Sequence, residues 1–117
     1  MARIMVEYTN SELRTILTTA VEGGINYWCS HCDTTRDDEG MVKGVLIHPG
    51  PENGDFSLPM PVTAGELQQA VNKVLRGDVQ VNSEIVEWIR SGDVGMIDAT
   101  AADVLVQVVC FEGIVYG

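Results

Sequence analysis

Glu22-Gly23-Gly24-Ile25-Asn26-Tyr27-Trp28-Cys29 is the stretch that decides the fold, because a helical pattern ends there and strand-like sequence begins. Glycine adopts a positive φ at no steric cost, as helix ends commonly require, and it lets another backbone or a ligand come close. We therefore predict a tight helix-to-strand junction in which Gly23 and Gly24 end the helix.

Two amphipathic helices are predicted, because two segments of the chain begin with the same helix start signal. Thr9 and Glu12 have the spacing of a capping box, and apolar residues then recur at intervals of three and four through residues 10–22. The same two signals recur over residues 63–76, and Gly77 is a natural stop for that helix.

A third, shorter helix is predicted after Gly77. Asn82 or Ser83 can cap it, and its buried face would contain Ile85, Trp88 and Ile89.

The last hydrophobic run allows two interpretations. Asp98 and Thr100 are alternative caps for a final helix, yet residues 104–111 are rich in β-branched side chains, which favour a strand. We favour the helix because a cap and helix-forming alanines precede the run.

The strands are predicted in the first half of the chain. Residues 25–33 and 41–48 are strand-like, and the charged loop between them predicts an antiparallel hairpin. A short edge strand is predicted over residues 56–58, where two prolines follow closely. Residues 4–8 alternate like a strand, although an extended arm packed on the core would look the same.

Length and composition describe one ordinary domain. The chain has 117 residues, of which 45% are hydrophobic and 21% charged, so we expect a single compact domain over residues 1–117. The first half of the chain supplies most of the predicted sheet and the second half most of the predicted helix, which indicates an α+β fold. We expect a small antiparallel sheet of about three strands packed with three to four helices. Without a signal peptide or membrane span in the sequence, and with an odd count of three cysteines, we expect a cytoplasmic protein with reduced thiols.

Charge predicts the class of partner. The net charge is −10, and residues 77–117 contain seven acidic side chains against Arg90 alone. Such a field repels nucleic acid and attracts basic protein surfaces, although acidity also serves plain solubility. The predicted partner-binding carboxylates are Asp78, Glu84, Glu87, Asp93, Asp98 and Asp103.

The glycine junction also predicts a ligand pocket as an alternative site. Gly23 and Gly24 leave room for a ligand, and Tyr27 and Trp28 could form its aromatic wall. Ordinary core packing of the aromatic rings is the simpler interpretation.

Cysteine spacing raises a redox and a zinc hypothesis. A redox CxxC begins a helix, whereas polar, charged sequence follows Cys29 and Cys32. A zinc site would combine Cys29, Cys32 and His48, with His31 and Cys110 as further options. A regular strand points the two CxxC thiols to opposite faces, so we expect neither a metal nor another cofactor. The two histidines have no serine or carboxylate at a recognisable catalytic spacing, so we expect no enzyme.

Three strings of the sequence resemble a known family. Residues 19–28 (TAVEGGINYW), 98–107 (DATAADVLVQ) and 113–117 (GIVYG) resemble small hypothetical proteins of actinobacteria and their phages and mobile elements. The resemblance implies a non-enzymatic accessory protein in the host cytoplasm that binds and modulates a host protein with a basic surface, such as a defence nuclease. The alternatives are a homo-oligomeric protein that binds a nucleotide signal and a zinc-stabilised interaction module.

Overall fold

The protein is described by a computed structural model that covers residues 6–25, 27–49 and 59–114. It has the predicted α+β fold, in which a three-stranded antiparallel sheet, with its strands adjacent in chain order, packs with α-helices. The elements in chain order are α1 (Asn10–Thr19), a π turn (Ala20–Gly24), β1 (Cys29–Arg36), β2 (Val42–Pro49), β3 (Met60–Thr63), α2 (Ala64–Arg76), α3 (Ser83–Arg90), a 3₁₀ turn (Val94–Met96) and α4 (Ala99–Phe111).

The helices begin and end where local chemistry predicts. Thr9 and Glu12 form the predicted capping box of α1, and Gly77 ends α2 in the left-handed conformation at φ 80°. Of the alternative caps, Asn82 serves α3 and Asp98 serves α4, each through a side-chain oxygen that accepts a backbone N–H.

Helix α4 is the buried centre of the fold. All of residues 101–108 are buried, which is the pattern of a helix surrounded by other elements. It contacts α1, α2, α3, β3 and the π turn. Because packing on all sides outweighs intrinsic propensity, the β-branched run is helical, as we favoured.

Strand β2 is central, and its neighbours differ from the predicted segments. The edge strand is Met60–Thr63, which tolerates Pro61 because edge strands need not donate every N–H. The edge strand predicted over residues 56–58 lies outside the described residues. Before α1, the described residues 6–9 form no strand and Tyr8 packs as part of an arm, with its hydroxyl donating to the Ile89 carbonyl at 2.8 Å.

Strand β1 starts later than predicted, at Cys29 rather than within residues 25–28. The Ile25 carbonyl accepts the N–H groups of Trp28 at 3.1 Å and Cys29 at 2.9 Å, so the chain makes another turn before it extends. The strand then runs through Arg36, because threonines predicted to lie in the loop pair with β2.

The glycine junction differs from the prediction in one respect and agrees in another. Positive φ angles among the described glycines occur at Gly40, Gly77 and Gly92, so neither Gly23 nor Gly24 ends α1 in that way. The helix widens instead into a π turn, closed by a hydrogen bond from Ile25 N–H to the Ala20 carbonyl at 3.0 Å.

Gly24 allows the backbone of the π turn to come close to the backbone of α4. A Cβ at this position would lie 2.7 Å from the carbonyl oxygen of Ala99 in the first turn of α4. A Cβ at Gly23 would meet nothing within 4 Å. Gly24 therefore lets the π turn lie directly against α4, which brings the following aromatic residues to the same helix.

Candidate functional site

An open cleft of about 760 Å³ lies between the π turn, the segment before α3 and the start of α4. This volume is within the range of small-molecule pockets. Its wall includes Gly23, Gly24 and Tyr27, which are three of the four residues of the predicted ligand site. Trp28 is not among the lining residues and is only 2% exposed, so its core-packing interpretation is confirmed.

Asp103 of α4 forms the floor of this cleft and is 6% exposed. The Tyr27 hydroxyl donates to its Oδ2 at 2.6 Å, and the Trp28 indole N–H donates to its Oδ1 at 2.7 Å. The Gln107 amide, one helical turn further along α4, donates to Oδ1 at 3.0 Å. Neutral donors thus surround the carboxylate, and no ion pair between described residues includes it.

Tyr27 extends from this buried cluster to the protein surface. Its hydroxyl contacts Asp103 while the residue as a whole is 61% exposed. Burial of the hydroxyl, together with the hydrogen bond to the adjacent carboxylate, raises the pKa of Tyr27 to about 12. The hydroxyl therefore stays protonated at neutral pH and keeps donating to Asp103.

The opening of the cleft has an apolar rim. Tyr27 at 61% and Ile114 at 40% are unusually exposed for large hydrophobic side chains, and both line the cleft. Exposed apolar groups at a concave, mostly apolar site with a few polar side chains are typical of ligand contacts.

The lining chemistry selects among ligands. No lysine, arginine or histidine is among the lining residues that the structure describes, and Asp103 supplies negative charge. The other polar side chains are those of Gln80, Asn82 and Thr100. A phosphate or carboxylate ligand would therefore meet no cationic side chain from these residues, whereas a neutral or cationic ligand meets suitable groups.

One of the six predicted partner-binding carboxylates is not on the surface. Asp103 was expected among the partner-binding carboxylates, but this assignment is wrong because the residue is buried and bonded to the aromatic pair. Asp103 is buried because it lies on α4, which the other helices, β3 and the π turn surround.

The remaining predicted carboxylates are exposed and have different surroundings. Asp78 pairs with Arg76 at 3.0 Å, and Glu87 pairs with Arg90 at 2.8 Å, so both are locally neutralised. The others form no ion pair with any residue that the structure describes, and they are Glu84, Asp93 and Asp98.

The CxxC segment is not a regular strand. A register shift falls between Cys29, which pairs with Pro49, and His31, which pairs with His48. This bulge brings the two thiols near each other on the inner side, where Cys32 pairs with the buried Ile47. The expectation that they face opposite sides is therefore wrong.

Burial raises the pKa of two of the thiols. Desolvation, with the neighbouring Cys32 adding to it, raises the pKa of Cys29 to about 11, and desolvation raises that of Cys110 to about 12. A raised pKa lowers the fraction of thiolate, which is the form that a redox nucleophile needs, and this argues against the redox hypothesis.

The alternative zinc set of Cys29, Cys32 and His48 is not brought together. Its thiols face the interior, whereas the His48 imidazole contacts Asp33 on the exposed face of the hairpin. Asp33 belongs to no predicted site. Two sequence signals could have found it: its alternation with His31 on one strand, and the antiparallel pairing that places His48 opposite.

Comparisons with known proteins give no relatives to reason from. No family model matches the chain, and no curated protein or solved structure matches it significantly. The resemblance to actinobacterial and phage proteins stays a prediction. Within the part of the chain that the structure describes, no helix has both the length and the apolarity needed to cross a bilayer.

Proposed function

We propose that this protein binds a small neutral or cationic molecule in the cleft between the π turn and α4. The observation that carries the proposal is the coincidence of a cleft of about 760 Å³ with a buried carboxylate at its floor and exposed apolar groups at its rim. An apolar body would pack on Tyr27 and Ile114, and a hydrogen-bond donor would reach the polar side chains below them.

The π turn supports the same assignment. Single π turns within helices occur often at functional sites, because they displace the following backbone and side chains. Here the turn places Gly23 and Gly24 in the cleft wall and aims Tyr27 at Asp103. The shape of the cleft therefore depends on a specific backbone distortion as well as on the spacing of the helices.

The test is a thermal-shift screen with compounds grouped by charge. A ligand present at 100 times its Kd stabilises the folded state by about 2.7 kcal/mol, which raises the Tm of a small domain by several degrees. We expect shifts from neutral or cationic heterocycles and amines, and none from their phosphorylated counterparts. Uniformly flat responses across both groups would contradict the proposal, and shifts from nucleotides alone would restore the nucleotide-signal hypothesis.

A matched pair of variants locates the binding site. Thr100 is exposed, lies on α4 and lines the cleft, so Thr100→Phe should fill it and abolish the shift. Gln69 is exposed on α2 and is not among the lining residues, so Gln69→Phe adds the same bulk elsewhere and should keep the shift. Equal loss in both variants would place binding outside the cleft.

The intrinsic fluorescence of Trp28 gives an independent readout. Its indole donates to the carboxylate at the floor of the cleft and packs edge-on against Phe111 at 5.4 Å between ring centroids. In a Trp88→Phe background, a ligand that contacts Asp103 should change the Trp28 emission with the same Kd as the thermal shift.

The predicted host partner with a basic surface stays a separate prediction. Once the buried and ion-paired residues are set aside, the carboxylates of this chain that would contact such a partner are Glu84, Asp93 and Asp98. Its measurement is the affinity for a captured partner across ionic strength, which must fall steeply with salt.

A further inference from the structure

Two histidines and an aspartate converge on the exposed face of the β1–β2 hairpin. Nε2 of His31 lies 2.8 Å from Oδ1 of Asp33, and Nε2 of His48 lies 3.0 Å from Oδ2 of the same carboxylate. The imidazole centroids are 5.2 Å apart. Donor atoms from the three side chains all lie within 4.8 Å of one another.

The backbone, rather than a loop, fixes this arrangement. His31 lies directly opposite His48 in the antiparallel ladder, and Asp33 follows His31 by two residues and so shares its face. The bulge before His31 separates this outward cluster from the inward thiols. Paired strands hold ligands more accurately than loops do, so little rearrangement is needed to use all three side chains together.

We propose that His31, Asp33 and His48 form a binding site for one divalent transition-metal ion, with Zn²⁺ as its representative. Imidazole nitrogen and carboxylate oxygen suit such ions, and ligand atoms at about 2.0–2.2 Å from one ion lie roughly 3 Å from each other. The contacts of Asp33 with both rings already have this spacing. The ion would take the place of the protons that the rings share with the carboxylate, and three protein ligands leave a coordination position for water or another molecule.

Exposure makes the site accessible. The side chains of His31 and Asp33 are 64% and 60% exposed and that of His48 is 33% exposed, so an ion can reach them from solvent without opening the fold. None of the three lines the cleft proposed for the small ligand. The metal proposal therefore does not depend on the ligand proposal.

The test is calorimetric titration of the whole metal-free protein with Zn²⁺. We expect one equivalent to bind, and we expect His48→Ala and His31→Ala each to weaken binding by at least about 100-fold. Asp33→Asn retains shape but not charge, and should weaken binding by about 10–100-fold. Titration with Co²⁺ gives a second readout, because its visible absorption should appear in the wild type and disappear in both histidine variants.

Two control variants separate this site from other sources of metal binding. Cys32→Ala tests the thiol side of the hairpin, and Glu84→Gln removes an exposed carboxylate elsewhere, so both should bind Zn²⁺ like the wild type. Circular dichroism establishes that each variant is folded. Absence of Zn²⁺ binding by the wild type would overturn the proposal, as would binding that survives His48→Ala but is lost in Cys32→Ala.

Discussion

Asp103 and Asp33 are two aspartates that each lie between two ring systems, yet one is buried and the other is exposed. Asp103 is 6% exposed and accepts hydrogen bonds from Tyr27 and Trp28. The Asp33 side chain is 60% exposed and contacts His31 and His48. The comparison shows that burial and the kind of neighbouring donor together distinguish the two carboxylates. The buried group accepts hydrogen bonds from neutral donors in the core, whereas the exposed group contacts ionisable imidazoles within reach of solvent.

The largest expected effect is on stability and comes from Asp103→Ala. The substitution removes the carboxylate that accepts hydrogen bonds from the Trp28 indole N–H and the Gln107 amide in the core, and a hydrogen bond to a charged group contributes about 1.5–3 kcal/mol. We expect a loss of about 2–4 kcal/mol in the free energy of unfolding, measured in urea. The matched change Asp33→Ala should leave the unfolding midpoint nearly unchanged.

The conservative variant Asp103→Asn sharpens this result. An asparagine keeps one acceptor for Trp28 and Gln107, and the Tyr27 hydroxyl can accept from its amide instead of donating. We expect less than half the loss seen for alanine. If Asp103→Ala is as stable as the wild type, the desolvation of the carboxylate offsets its hydrogen bonds and the cluster does not stabilise the fold.

The next largest effect concerns the junction that brings the aromatic residues to Asp103. Gly24→Ala places a Cβ 2.7 Å from the Ala99 carbonyl oxygen, which is backbone of α4 and cannot move aside freely. We expect a loss of about 1–3 kcal/mol, as for other overpacked sites. Gly23→Ala meets nothing within 4 Å and lies in the same turn, so it should be neutral or slightly stabilising. Equal thermal stability of the two variants would contradict the close approach of the π turn to α4.

Much of this architecture was predictable, because its signals are local. The capping pair Thr9 and Glu12 and the stop at Gly77 each depend on a few neighbouring residues, and both were located correctly. For α4 the sequence left Asp98 and Thr100 as alternative caps, and Asp98 is the one that caps the helix. The prediction that residues 104–111 are helical is also confirmed. It depended on judging that the N-cap and the alanines favour a helix more strongly than the β-branched residues favour a strand.

The predictions that were wrong concern features that are determined by tertiary contacts. Nothing local distinguishes Asp103 from the exposed carboxylates, because its burial comes from elements distant in sequence that cover α4. The bulge before His31 likewise changes which face each side chain takes, and a strict period of two cannot show it. Gly23, Gly24 and Tyr27 were singled out because two adjacent glycines beside aromatic residues are unusual, and all three line the cleft. Asp33 was not singled out because one aspartate on a strand is not unusual.

A smaller effect tests the link between Tyr27 and Asp103 through pH. Burial and the carboxylate raise the pKa of Tyr27 from 10.0 to about 12. A raised pKa gives stability that is complete below pH 10 and is lost as pH rises through about 12. The difference in Tm between the wild type and Tyr27→Phe should therefore shrink across this window. Tyr8 has a similarly raised pKa but is present in both proteins, so its titration cancels. A constant difference in Tm across the window would show that the hydroxyl is not coupled to Asp103.

The smallest effect concerns Asp33, and it is a titration rather than a change in stability. Hydrogen bonds from His48 and then His31 hold the pKa of Asp33 below its usual range. A lowered pKa gives a stabilising contribution that is present above the unfolded value and is lost as pH falls through the folded value. Solvent screens this exposed group, so the Tm should hardly respond, whereas the ¹³C shift of the carboxyl should report the pKa directly. In His48→Ala the pKa should rise toward that of an ordinary aspartate, because the first of the two contacts is gone. An unchanged titration would mean that the imidazole of His48 does not hold the carboxylate in solution.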